Sequence, residues 1–158
     1  MRTQLLTNQE SLPVDVWTRL IRGHAASRRA FDAQLQSDHG LTVNDYEALL
    51  LLSRAEGGRM RRVDLADGLQ LTASGVTRLL SGLERNGLVE RASCSTDRRV
   101  TYAALTAAGR RKLEDAACSH VAAIRALFEE RYTREELSTL TELLSRLPGA
   151  AVADSCTP

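Results

Sequence analysis

With 158 residues, 43% of them hydrophobic, the chain is long enough for one domain with a buried core, while only 4% of its residues are aromatic. So few rings argue against a stacking platform for single-stranded nucleic acid, and no apolar run reaches the roughly 18–20 residues of a membrane span. Net charge is only +1, but it is uneven: Arg54 to Lys112 holds twelve basic and six acidic side chains, against nine and fourteen elsewhere. A basic middle between acidic flanks points to a polyanion as the partner of that middle segment. All but one of the 21 basic residues are arginine, which suits phosphate and guanine, although a codon preference along the whole chain explains the bias equally well.

The start, MRTQLLTNQESLPVD, lacks the apolar core and cleavage site of a signal peptide, so a cytoplasmic location is expected. Cys94, Cys118 and Cys156 are widely spaced and odd in number, which fits reduced thiols rather than a disulfide framework. Pro13 stands near the start of a helix expected over 14–38, with Trp17, Leu20, Ile21, Phe31 and Leu35 as its apolar positions. His39-Gly40 ends it. Thr42 caps the next helix, with Asp45 three residues on and Tyr46, Leu49, Leu50 and Leu52 following. Gly57-Gly58 breaks that helix.

Val63 to Leu69 reads as a short helix that turns Leu65, Ala66 and Leu69 inward, and Gln70-Leu71 makes a tight turn. Thr72 is a good N-cap for the helix that runs to about Asn86. There Val76, Leu79, Leu80 and Leu83 form one apolar stripe, with Ser74, Thr77, Arg78, Ser81 and Arg85 on the opposite face. Asn86-Gly87 supplies a left-handed cap. Leu88–Ala92 and Val100–Leu105 read as two strands joined by the polar loop SCSTDRR, a β-hairpin. Thr106 caps a long helix with Leu113, Ala117, Val121, Ile124 and Phe128 at helical spacing. Thr133 to Glu136 is a capping box, Leu137, Leu140, Leu144 and Leu147 form a stripe, and Pro148-Gly149 ends it.

Helix, short helix, tight turn, amphipathic helix and hairpin, in that order, make a winged helix-turn-helix. The expected fold is therefore mainly α with a small β-hairpin, a winged helix-turn-helix domain flanked by N- and C-terminal helices. Thr72, Ser74, Gly75, Thr77 and Arg78 are the candidate DNA-binding residues on the second helix, small enough at its front to approach bases closely. Arg98 and Arg99 are the wing candidates, with Asp97 placed to orient an arginine. Arg61 and Arg62, just before the motif, are further candidates for phosphate. The competing reading of each is a solvated helix or loop surface.

The run VDLADGLQLTASGVTRLLSGLERNGLVER followed by DRRVTYAALTAAGR resembles the MarR family of bacterial transcription regulators over about Leu41 to Arg111. The resemblance implies a homodimer on a near-palindromic operator of double-stranded DNA, with the two recognition helices about one DNA turn apart. It implies a dimerisation segment at 1–40, a winged domain at 41–105 and C-terminal dimerisation helices at 106–148; the residues after Pro148, 149–158, read as a disordered tail. The Trp17–Leu35 and Leu137–Leu147 segments are the candidate subunit interface. Two departures stand out. Cys94 and Thr96 occupy wing positions where the family often has an acid and an arginine. Gln70 occupies a turn position where the family often has glycine, which strains it if φ is positive there.

The rival readings concern the signal and the class. Relatives that sense zinc use His, Cys and Glu, but His24, His39 and His120 show no ligand spacing, and Cys118 and His120 stand only two apart on a helix. No metal and no cofactor is expected. Cys94 among arginines is the candidate for redox sensing. A small aromatic acid is the candidate ligand, with Trp17, His24 and Tyr46 as equally good lining or packing residues; the effector itself is unknown. The alternatives to a small-molecule-released repressor are a metal- or redox-responsive regulator of the same fold, and a winged-helix adaptor without DNA binding. No nucleophile triad, P-loop or dinucleotide fingerprint supports an enzyme.

Overall fold

The computed structural model describes residues 8–93 and 101–149. Among these, six α-helices and a three-stranded antiparallel sheet follow in the order α1 (Asn8–His39), α2 (Val43–Arg54), β1 (Arg59–Arg61), α3 (Arg62–Gly68), α4 (Ala73–Arg85), β2 (Val89–Ser93), β3 (Thr101–Leu105), α5 (Ala107–Glu129) and α6 (Arg134–Ser145). The backbone divides into two compact units, with the division after His120. Among the described residues no helix is long and apolar enough to cross a membrane.

The expected elements are present, with two differences. α1 begins at Asn8 rather than Val14 and runs through Pro13, whose missing N–H costs a single bond close to a helix end. The second is a short additional strand, β1. Its three residues are too few to show alternation, and it exists because β3 pairs it: Arg59 lies opposite Ala104 and Arg61 opposite Tyr102. The sheet order is thus β1-β3-β2, and the hairpin pairs Val89 with Leu105 through Ser93 with Thr101.

The caps are where the sequence puts them. In α2 the Thr42 hydroxyl accepts from the Asp45 N–H while the Asp45 carboxylate accepts from the Thr42 N–H, and Thr133 and Glu136 repeat the exchange at α6. Thr106 holds α5 by accepting from the Gly109 N–H at 2.9 Å. In the first unit Leu35, Leu49, Leu52, Leu65, Val76, Leu80 and Leu83 are fully buried, drawn from α1, α2, α3 and α4. Val89 and Ala103 of the sheet and Leu113 and Ala116 of α5 complete this core. Leu35 and Phe31, at the end of the α1 apolar segment, pack here. Its beginning does not: Leu12, Val14, Val16 and Ile21 are exposed and Trp17 is 61% exposed. The second unit likewise exposes Val121, Phe128, Leu143 and Leu147.

Candidate nucleic-acid interface

α3 and α4 form the helix-turn-helix. Both end in the same way. After α4 the Gly87 N–H bonds the Glu84 carbonyl and the Leu88 N–H bonds the Leu83 carbonyl. After α3 the Gln70 N–H bonds the Asp67 carbonyl and the Leu71 N–H bonds the Ala66 carbonyl. This motif places a left-handed residue just past the helix, and φ is 69° at Gly87 and 54° at Gln70. Gln70 is the only described non-glycine residue with positive φ.

Thr72 begins α4. Its Oγ1 accepts from the Gly75 N–H at 3.1 Å and lies 3.1 Å from the Ser74 Oγ. A side chain at Gly75 would meet that same Oγ1 at 3.2 Å, so the small residue leaves room for the cap. Val76, Leu80 and Leu83 bury one face of the helix. Thr72, Ser74, Thr77, Arg78 and Arg85 lie exposed on the other, and Gly75 and Ser81 are half-buried. The five DNA-binding candidates therefore lie together over about two turns, from the N-cap of α4 through its front. Arg98, Arg99 and Asp97, together with Cys94 and Thr96, lie outside the described residues.

How the hairpin is tied to α4 has no signal in the sequence. Arg91 of β2 donates its Nε–H to both carboxylate oxygens of Glu84, each at 3.1 Å. Opposite charges seven residues apart across a turn form no helical pair, so only the fold brings them together. Arg61 is likewise engaged: it grips Asp64 at 2.6 and 2.7 Å. That hydrogen bond, with its charge, raises the guanidinium pKa and holds the Asp64 carboxyl below its usual range. Half of the Arg61–Arg62 pair is thus committed to the protein's own first turn of α3. Arg59 is stacked over the Tyr102 ring, 5.5 Å from its centre.

The histidines are not gathered. His120 is 6% exposed and meets the Phe31 ring edge-on at 5.3 Å and the Tyr46 ring at 4.7 Å. Burial pushes its pKa down, against a smaller opposing pull from Glu47. His39 Nε2 lies 2.7 Å from the Ser119 hydroxyl, whereas His24 and Cys118 are exposed. Among the described residues no three His, Cys, Asp or Glu side chains are grouped to hold a metal. Tyr46 is buried while Trp17 and His24 are exposed, so the three suggested lining residues do not share an environment.

A sequence model of the MarR family matches residues 39–100. The Bacillus subtilis repressor YetL is 32% identical over 108 residues, 68% of this chain and 64% of that protein, slightly less than two thirds of its length. The Streptomyces coelicolor MarR-family regulator Sco3205, solved in complex with DNA, is 32% identical, with a TM-score of 0.78 over 90% of this chain and 87% of its own. CouR from Rhodococcus jostii, solved with bound p-coumaroyl-CoA, is 25% identical, with a TM-score of 0.70 over 96% of this chain and 100% of its own.

Proposed function

The chain belongs to the MarR family of DNA-binding transcriptional regulators, and on that premise we propose that it acts as a homodimeric, sequence-specific repressor released by a small-molecule effector. One observation carries this reading: α4 is anchored by Val76, Leu80 and Leu83 and turns an exposed face of hydroxyls and two arginines outward. Thr72, Ser74, Gly75, Thr77 and Arg78 meet the major groove, and Arg98 and Arg99 anchor the wing with Asp97 orienting them. The DNA complex of Sco3205 supports the groove reading, and the naming of YetL as a repressor supports the direction of control.

The exposed apolar side chains of early α1 and of the second unit support dimerisation, because a second copy would remove them from water. A twofold dimer reads a near-palindromic operator. In this reading 1–40 and 106–148 build the dimer and 41–105 binds DNA. The CouR complex supports a small aromatic acid or its thioester as the effector class. Such a ligand acts by favouring one of two spacings of the recognition helices, which differ in DNA affinity.

Footprinting of the DNA flanking the protein's own coding region tests this, with Arg78→Ala and Arg99→Ala beside the wild type. A protected near-palindrome, weakened by each substitution and released by an aromatic acid, is expected. Protection untouched by both substitutions contradicts the assigned DNA face.

A further inference from the structure

We propose that Thr77 reads the operator as a hydrogen-bond acceptor, facing a base that carries an exocyclic amine, adenine or cytosine; this rests on α4 being the recognition helix. The Thr77 hydroxyl is exposed, yet its single proton is already used: Oγ1 donates to the Ala73 carbonyl one turn back, at 2.8 Å. What remains to face a groove is lone pairs and a methyl group. The pattern continues down the helix. Ser81 donates to the Thr77 carbonyl at 2.8 Å, and Arg85 Nε donates to the Ser81 carbonyl at 3.2 Å.

The neighbours are of the opposite kind. Arg78 offers only donors, and it has no hydrogen-bond or ion-pair partner among the described residues. Thr72 and Ser74 share one hydroxyl proton across 3.1 Å, so one of their two O–H groups stays free to donate outward. The face therefore presents a donor at the helix front, an acceptor at Thr77 and donors at Arg78. Guanine shows only acceptors in the major groove, N7 and O6, and phosphate is an acceptor throughout. Thr77 meets neither without breaking its bond to Ala73. Adenine N6 and cytosine N4 each bring an N–H to it and leave that bond intact.

The test is selection from random duplexes by the full chain, in parallel with Thr77→Val and Thr77→Ser. Valine keeps the β-branched shape and removes the lone pairs; serine keeps the hydroxyl. The wild type and Thr77→Ser are expected to enrich adenine or cytosine at one position of each half-site where Thr77→Val shows no preference. On the selected operator, replacing that base by its analogue without the amine should weaken the wild type about five- to tenfold and Thr77→Val less than about twofold. Identical enrichment by wild type and Thr77→Val overturns the inference and leaves the regulator reading standing. So does enrichment of guanine at the position that valine loses, since the hydroxyl must then donate. A wild type that enriches no sequence overturns the regulator reading and this inference together.

Discussion

Gln70 and Gly87 occupy the same place in the same helix-ending motif, one after α3 and one after α4, at φ of 54° and 69°. Glycine adopts that conformation freely, whereas a side chain there costs roughly 1–2 kcal/mol. Gln70 is exposed, so its side chain recovers nothing by packing. Gln70→Gly should raise stability by about 0.5–1 kcal/mol, after the greater unfolded-state freedom of glycine is subtracted. Gly87→Ala should lower it by about 1 kcal/mol. Urea denaturation of both variants checks the pair, and a destabilised Gln70→Gly would show that the side chain holds the turn.

Among the glycines, Gly109 leaves the least room for a side chain. A Cβ there would stand 2.1 Å from the Leu88 carbonyl oxygen, a backbone atom that cannot swing away. Gly109→Ala should therefore push α5 off the start of the hairpin and cost about 1–3 kcal/mol or more. A Cβ added at Gly82 in α4 would meet nothing within 4 Å, so Gly82→Ala should gain about 0.5–1 kcal/mol as the contrasting control. Equal denaturation midpoints for the two variants would contradict the packing account.

The Glu84–Arg91 pair joins the recognition helix to the strand that leads into the wing. It is a surface pair, and removing it should change stability by less than about 1 kcal/mol. Its consequence lies in aim. Arg91→Ala should weaken operator binding severalfold while the denaturation midpoint hardly moves. Unchanged affinity would mean that strand pairing alone sets the wing.

His120 makes stability depend on pH. Burial lowers its folded-state pKa below the ordinary 6.5, so the unfolded chain binds the proton more readily than the folded one. Its cost is absent well above 6.5 and grows as pH falls from about 6.5 toward the lowered value. Thermal melts between pH 7.5 and 5.5 should show falling stability for the wild type and a flatter profile for His120→Leu. Parallel profiles would remove His120 as the cause.

Much of this is visible in the sequence because the helix signals are local. Thr42 with Asp45, Thr72, Thr133 with Glu136 and Asn86-Gly87 announce helix ends within four residues, and Val76, Leu80 and Leu83 give the buried face of α4 by period alone. Other features need the fold. The turn at Gln70-Leu71 is placed by the sequence, but its positive φ falls on a residue that does not announce it, and only the family resemblance draws attention to it. β1 is held by β3, more than forty residues away in sequence. The Glu84–Arg91 bond and the two rings around His120 are likewise products of distant elements meeting. The Thr77 hydroxyl is legible as a polar group on the right face, but its bond to Ala73, which decides what it can read, is not.

The most direct measurement is a gel-shift titration of the wild type and Arg78→Ala against DNA flanking the protein's own coding region, at two salt concentrations with excess random DNA present. The account predicts tight wild-type binding that weakens with salt and survives the competitor, and an Arg78→Ala loss of about 1–3 kcal/mol. Wild-type binding that random DNA abolishes, or an Arg78→Ala variant indistinguishable from it, would contradict recognition through the exposed face of α4.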